Sequence, residues 1–293
     1  MARGFAGPGG LVGRALTAAD AAPLTALSDE AGWNQTRRDW TIMLALGSGF
    51  AYFDGARPVA SALALPYARV GAAPPTGFVS MVLTTASWQR RGLARTLTAR
   101  CVDALDAAGC VPGLDATPAG RAVYRTIGFS DAFALDRWRA DAAKRVGAPP
   151  PPGVSLRPIG LIDAAMVALD AASIGAARPS ILRELKARRP DLAWAAWRDG
   201  AVVGLAFGRD GRTAAQIGPV VAATPGIAVA LISRALDAVG GAAIVDLLRG
   251  QDEAGALLSA AGLAPVREFT RMFRGAAPTV SGLLVAAAGP ELA

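Results

Sequence analysis

The stretch Phe78-Val-Ser-Met-Val-Leu83 is followed shortly by Gln89-Arg-Arg-Gly-Leu-Ala94, and a helical pattern begins directly after it. This order predicts a strand, a short turn and the start of a helix. Free backbone amides at a helix N-terminus, together with the positive end of the helix dipole, favour a bound anion. Gly92 lets a phosphate approach the backbone, and the two preceding arginines add positive charge. The stretch therefore predicts a pyrophosphate-binding loop.

The composition describes a folded and basic chain. Its 293 residues exceed the usual size of one domain, and 53% hydrophobic residues exclude a disordered protein. The balance of 30 Lys+Arg against 23 Asp+Glu gives a net charge of +7, which suits a phosphorylated ligand, nucleic acid or an anionic membrane. The arginines are scattered and form no continuous stripe with aromatic residues between them, so we expect no nucleic-acid partner.

Several classes of protein are excluded by absent residues. The chain has no histidine and two cysteines, Cys101 and Cys110, which excludes Ser-His and Cys-His nucleophiles and argues against a metal site. Any proton transfer must use another group, such as a carboxylate or a tyrosine. No stretch reaches the length of a membrane span, and no signal-peptide core precedes Asp20, so we expect a cytoplasmic protein without membrane contact.

A proline-rich segment divides the chain. Gly147-Ala-Pro-Pro-Pro-Pro-Gly153 can join neither a sheet nor a helix interior, which predicts a linker at residues 147–153. The predicted domains are residues 1–146 and 154–275, and residues 276–293 are expected to form a weakly specified tail. In the first half, the predicted strands are 11–16, 50–53, 58–65, 76–83, 111–115 and 133–139. The predicted helices are 18–31, 35–46, 91–108 and 119–128. This order indicates a mixed α/β fold.

The second half repeats the first at an offset of 134 residues. The offset places Gly92 on Gly226 and Gly128 on Gly262, and it carries Arg100 and Arg137 onto Arg234 and Arg271. One register that holds over distant positions indicates two copies of one fold.

The copies differ at the residues that would carry chemistry. The cationic Gln89-Arg-Arg91 corresponds to Ala223-Thr-Pro225, and Tyr124 corresponds to Leu258. The second copy keeps the residues needed for packing and loses the arginines and the phenol. We therefore expect it to hold no cofactor of its own.

The loop and a later segment together resemble the GNAT acetyltransferase superfamily. The loop matches that family's Gln/Arg-x-x-Gly-x-Gly/Ala pattern, and Ala122-Val-Tyr124-Arg-Thr-Ile-Gly128-Phe129 is similar to its Ala-x-x-Tyr-x-x-x-Gly-Phe stretch. The whole chain looks like a tandem GNAT protein, an α/β protein with mixed sheets, in which the C-terminal GNAT domain is degenerate.

The resemblance implies an acetyl-CoA site in the first domain. The pantetheine arm would pair with the strand that carries Val82, Leu83 and Thr84, and a backbone amide there would polarise the thioester carbonyl. The implied cofactor-binding loop consists of Gln89, Arg90, Arg91, Gly92, Leu93, Ala94 and Arg95. Tyr124 lies where the family has its general acid, and a phenol is protonated at neutral pH.

The proton of the amine needs a base, which the resemblance does not supply. Asp115, at the end of the strand after the long helix, is one possible base. Asp39 and Glu30 are weaker options, and water that relays the proton to solvent is a further one. Trp33 and Asn34 lie between the first two helices, where the family binds its acceptor, and they are predicted to contact substrate.

The sequence thus predicts an N-acetyltransferase that moves an acetyl group from acetyl-CoA to an amine by direct attack. The acceptor could be a small molecule, an amino acid or a protein amine, and the cleft between the domains is its natural place. An acetyl-CoA-binding sensor without transferase activity is the alternative hypothesis. A basic nucleic-acid binder is a third. Acceptor, acyl chain length and oligomeric state are left open.

Overall fold

A computed structural model describes residues 4–278 and 282–293. In the first half the strands are β1 (Phe5–Ala6), β2 (Val12–Ala15), β3 (Ser48–Asp54), β4 (Arg57–Pro66), β5 (Thr76–Thr84), β6 (Val111–Ala116) and β7 (Phe129–Ala140). The helices are α1 (Ala21–Glu30), α2 (Arg37–Leu46), α3 (Leu93–Ala107) and α4 (Pro118–Arg125). The mixed α/β fold predicted from the sequence is confirmed. The prediction missed the short β1 and placed the start of β7 too late.

From β8 to β13 the second half repeats the order of elements from β2 to β7, and it adds one strand at its end. Its strands are β8 (Ser155–Pro158), β9 (Trp194–Arg198), β10 (Ala201–Arg209), β11 (Ala215–Ala222), β12 (Ala243–Leu248), β13 (Ala264–Arg274) and β14 (Leu284–Ala287). Its helices are α5 (Ala164–Ile174), α6 (Pro179–Arg188), α7 (Pro225–Ala238) and α8 (Asp252–Ala260). None of the helices within residues 4–278 and 282–293 has the length and apolar character needed to cross a membrane.

All fourteen strands belong to one sheet, and the two halves meet at its centre. The strand order is β1-β2-β3-β4-β5-β6-β13-β7-β12-β14-β11-β10-β9-β8. Strand β13 lies between β6 and β7, and β7 lies between β13 and β12. Each half therefore places its last long strand beside the other half, and the offset found in the sequence relates β7 to β13.

Two equivalent ion pairs stabilise the pairing of β7 and β13 with strands of the other half. Arg271 on β13 lies opposite Asp115 on β6 and donates two hydrogen bonds to it, at 2.5 and 2.8 Å. Arg137 on β7 lies opposite Asp246 on β12 and donates two, at 2.8 and 2.9 Å. Both aspartates are fully buried. Removal of either partner would leave a buried charge uncompensated, so the pairs fix the register between the halves.

The C-terminal stretch corrects the expectation of a weakly specified tail. Residues 279–281 lie outside the described part of the chain, but Leu284–Ala287 form strand β14 inside the sheet. Ala286 pairs with both Val220 on β11 and Leu247 on β12. The residues from Val285 to Ala288 are all buried. A run of small apolar residues that fits between two strands is held by backbone hydrogen bonds, which composition alone does not reveal.

The proline-rich segment lies against the second half. The amide of Ala148 donates to Ser233 Oγ of α7 at 2.9 Å. Pro151 stands so close to Gly226 that a Cβ added there would be 3.1 Å from its ring. The segment thus covers the start of α7.

Candidate active site

A slot opens in the first half where two parallel strands separate. Strands β5 and β6 pair only from Thr76 to Phe78, opposite Val111–Gly113. Beyond Gly113, β6 stays with β13, and β5 continues alone on that side. In the described residues no strand pairs with this edge of β5 from Val79 to Thr84. An extended ligand could therefore bind to the free backbone groups as an added strand.

A bulge bends β5 at the slot. The pairing with β4 shifts register between Ser61 and Leu63, opposite Met81. Met81 has φ +49°, a conformation that is rare and strained for a residue with a side chain. Its carbonyl accepts a hydrogen bond from Ser61 Oγ at 2.8 Å, which holds the bulge in place. Bulges of this kind change the direction of a strand beside a functional site.

The predicted anion loop follows β5 and ends at α3. Arg90 and Gly92 have positive φ angles, +59° and +80°, and Gly92 is the N-cap of the helix. In the described chain, the backbone amides from Arg90 to Arg95 donate no hydrogen bond to a backbone carbonyl. The space around Gly92 is open, and the guanidinium of Arg91 stacks on Trp88 at 4.5 Å. The loop offers several free N–H donors and exposed cations to one anion.

The slot leads into a cavity of about 90 Å³ between the two halves. Its walls come from the residues before α2, from β5, β6, α4, the two exchanged strands and the C-terminal segment. The lining residues are Trp33, Gln35, Val79, Ser80, Met81, Val82, Leu114, Asp115, Thr117, Tyr124, Arg137, Arg267, Phe269, Pro290 and Glu291. Both halves therefore build one site.

Tyr124 is positioned on α4 with its ring against Phe129, 6.2 Å between centroids. Gly120 makes room for the ring, since a Cβ there would stand 2.9 Å from Tyr124 Cε2. Burial raises the pKa of Tyr124 to about 12. The phenol therefore keeps its proton at neutral pH and can act as a proton donor in the cavity.

The other predicted cofactor residues lie along the slot or at its end. Val82 lines the cavity, Leu83 packs into the core, and Thr84 accepts a hydrogen bond from Gln89 Nε2 through its carbonyl at 3.4 Å. Leu93 is buried beneath the loop, whereas Arg95 is exposed. The strand and the loop are thus continuous, as their spacing in the sequence predicts.

The three candidate bases lie in different environments, and two of them are buried in ion pairs. Asp115 lines the cavity, but both of its oxygens accept hydrogen bonds from Arg271, which favours a structural role. Asp39 is buried with Arg188 and Arg209 at 2.6 and 3.1 Å. Burial alone would raise the pKa of Asp39, but the two guanidinium groups outweigh it and lower that pKa. Neither carboxylate has the free oxygen that a proton acceptor needs.

Glu30 lies away from the cavity. It accepts a hydrogen bond from the amide of Ala86 at 3.0 Å and pairs with Arg57. It supports the turn that precedes the anion loop.

The two predicted substrate residues separate in the structure. Trp33 lines the cavity. Asn34 joins the halves instead: its amide donates to the carbonyl of Ala214 at 3.0 Å, and its side-chain oxygen accepts from the amide of Thr213 at 2.9 Å. With both ends of its side chain bonded to the second half, Asn34 is not among the lining residues.

Glu291 is a cavity residue that the sequence prediction missed. It is 2% exposed, it accepts a hydrogen bond from Arg209, and its Oε2 has no hydrogen-bond partner among the described residues. The next residue, Leu292, is held in place by two hydrogen bonds that its carbonyl accepts, from Tyr67 at 2.9 Å and from Arg178 at 2.6 Å. The apolar run 283–288, bounded by Gly282 and Gly289, was the available signal for a buried strand leading to this residue.

The equivalent slot of the second half is closed. Strands β11 and β12 pair only from Ala215 to Ile217, and β14 then lies between them. The start of α7 also differs, because Pro225 begins the helix and Gly226 lies inside its first turn without a positive φ. A strand fills the position of the slot, and Pro151 covers the position of the anion loop.

Comparisons with known proteins agree with this geometry. A model described as "Acetyltransferase (GNAT) family" matches residues 17–129, and one described as "Acetyltransferase (GNAT) domain" matches residues 166–282. The two family models define the class as N-acyltransferases of a family that uses acyl-CoA. The chain belongs to the GNAT acetyltransferase superfamily and carries two GNAT domains in tandem. Among curated proteins, none matches the sequence.

Solved structures share the architecture at low sequence identity. A candidate acetyltransferase from Pyrococcus horikoshii aligns with a TM-score of 0.78 and 18% identity, over 99% of this chain and 98% of that one. A GCN5-related N-acetyltransferase from Sphaerobacter thermophilus has a TM-score of 0.63 and 15% identity, over 94% and 99%. A tandem GNAT protein from the clavulanic acid biosynthesis pathway, solved without AcCoA, has a TM-score of 0.57 and 18% identity, over 91% and 99%.

Proposed function

We propose that the protein is an N-acetyltransferase that transfers the acetyl group of acetyl-CoA to an amine in the cavity between the two halves. The observation that carries this proposal is the continuity of three parts: the free edge of β5, the loop of free amides from Arg90 to Arg95, and Tyr124 in the cavity. The resemblance to acetyltransferases supports an acyl-CoA donor.

The proposed reaction is one direct displacement. The amine nitrogen attacks the thioester carbonyl, a C–N bond forms, and the C–S bond breaks. A backbone amide of β5 stabilises the developing oxyanion, and the phenol of Tyr124 donates its proton to the departing thiolate. The proton that the amine nitrogen loses passes to a base in the cavity or to water, and one proton returns from there to the Tyr124 phenolate. No covalent enzyme intermediate is required.

The test is Tyr124→Phe, assayed for release of free CoA with a panel of amines and by calorimetry with acetyl-CoA. Loss of a general acid lowers rates by roughly 100-fold or more, so we expect kcat to fall by about that factor while the Kd for acetyl-CoA is unchanged. Tyr52→Phe is the matched control, because Tyr52 is buried outside the cavity lining. Acetyl-CoA binding without turnover in the unmodified protein would support the sensor hypothesis instead.

A further inference from the structure

Two residues that line the cavity carry buried oxygens without hydrogen-bond partners in the described part of the chain. They are Gln35 Oε1 and Glu291 Oε2, and their residues are 3% and 2% exposed. An unsatisfied buried acceptor costs about 1–3 kcal/mol, so a ligand that donates hydrogen bonds to both would recover this free energy. These oxygens point to a group with several N–H donors, such as an ammonium group.

A cation without a partner lies in the same cavity. Arg267 on β13 lines the cavity and is exposed. Its side chain makes no hydrogen bond or ion pair within the described chain. Its neighbour Arg137 is already paired with Asp246. Burial and the like charge of Arg137 lower the pKa of Arg267, which nevertheless stays protonated at neutral pH. A bound carboxylate would relieve this repulsion and match the planar guanidinium.

We propose that the acceptor is a small aminocarboxylate, an amino-acid-like zwitterion. Its ammonium group lies at Gln35 and Glu291, and its carboxylate pairs with Arg267. This inference rests on the proposed acetyl transfer and names the class of its acceptor. Glu291 then removes one ammonium proton before the nitrogen attacks the thioester, and this proton is released from Oε2 to solvent after the reaction. The second proton, which the nitrogen loses once the C–N bond has formed, returns through water to the phenolate that Tyr124 becomes when it protonates the thiolate.

The surroundings of Glu291 fit a proton acceptor. The charged and titratable groups that face it are Arg209 on β10, Asp39 on α2, Arg137 on β7 and Tyr67 after β4. Burial raises the pKa of Glu291, and the charge of Asp39 adds to this effect, while Arg209 and Arg137 oppose it. A carboxylate whose pKa is raised binds a proton more readily than an exposed one. The ionised fraction of Glu291 increases as the pH rises through its pKa, and the rate of acetyl transfer increases with it.

The acceptor class is tested with matched pairs of amines. An amino acid is compared with its carboxamide, which keeps the amine and loses the negative charge. We expect kcat/KM to be at least 10-fold higher for the amino acid, mainly through KM. Arg267→Gln is expected to raise KM at least 10-fold for the amino acid and to leave KM for the carboxamide unchanged. Arg183→Gln, an exposed site on α6, is the matched control.

Glu291→Gln tests the base. We expect kcat to fall by roughly 100-fold and the increase of kcat/KM with pH to disappear, with the Kd for acetyl-CoA unchanged. Glu253→Gln, at an exposed site on α8, is its control. Because Arg267 is exposed, its variant tests the inference even if Glu291→Gln folds poorly.

The outcomes separate the two proposals. If amino acids and carboxamides react equally well, the inference is wrong and the acetyl transfer stands. If acetyl-CoA does not bind at all, the proposed function itself is wrong.

Discussion

Beyond Phe78, β5 and β6 separate and leave a slot, whereas β14 fills the corresponding place between β11 and β12. The first half thus keeps its backbone groups free for a ligand, and the second half satisfies them with its own chain. The second half has no arginines at the start of its equivalent helix, and β14 occupies its slot. A fixed strand thus stands where the proposed function places a ligand in the first half, and it leads the chain to the cavity between the halves.

The largest effect should come from Gly92 at the start of α3, compared with Gly226 at the start of α7. Gly92→Glu places a side chain at φ +80° and a carboxylate where a pyrophosphate would bind, so we expect acetyl-CoA affinity to fall by roughly 100-fold or more. Gly226→Glu is the matched change in the second half and should leave affinity unchanged. Calorimetry should also give one acetyl-CoA per chain. Two sites per chain would mean that β14 does not close the second slot.

The two buried ion pairs offer a second comparison. Asp115→Asn and Asp246→Asn each leave a guanidinium buried without its counter-charge, which should lower the free energy of unfolding by about 3 kcal/mol. Denaturant titration measures this loss. We expect activity per folded molecule to fall by comparable, small factors in both variants. A far larger loss of activity in Asp115→Asn alone would instead support Asp115 as the base.

The smallest effect concerns the helices that follow β6 and β12. In Gly120→Ala the new methyl would stand 2.9 Å from Tyr124 Cε2, so the ring must move. We expect kcat to fall several-fold with unchanged acetyl-CoA affinity, measured by steady-state kinetics and calorimetry. In Gly255→Ala on α8 the nearest contact is 3.7 Å, and alanine favours a helix by roughly 0.5–1 kcal/mol over glycine. Equal kinetics in both variants would contradict a positioning role for Gly120.

The sequence predicts the parts of the site that are local. The strand, the loop at Gly92 and the helix follow one another directly, and residue types alone indicate their order. The repeat at 134 residues predicts that Arg137 and Arg271 are equivalent, and the structure gives them equivalent ion pairs.

The remaining parts depend on contacts between distant residues. The sequence pattern of a strand does not identify the strand with which it pairs. One sequence therefore predicts neither the pairing of β7 and β13 across the halves nor the position of β14. Glu291 could not be identified because its role depends on β14 carrying it to the cavity. Asn34 has a polar side chain in the expected position, but its partners at Thr213 and Ala214 lie in the other half.

The exchanged strands also set an order of assembly during synthesis. Strand β6 ends at Ala116, and its neighbour β13 begins only at Ala264. Domains generally fold from the N-terminus as the chain emerges, but here the sheet of the first half stays incomplete until β13 of the second half has been made. For that interval the edge of β6 is an unpaired template for any other extended chain. A fragment cut at the proline linker would keep this exposed edge permanently.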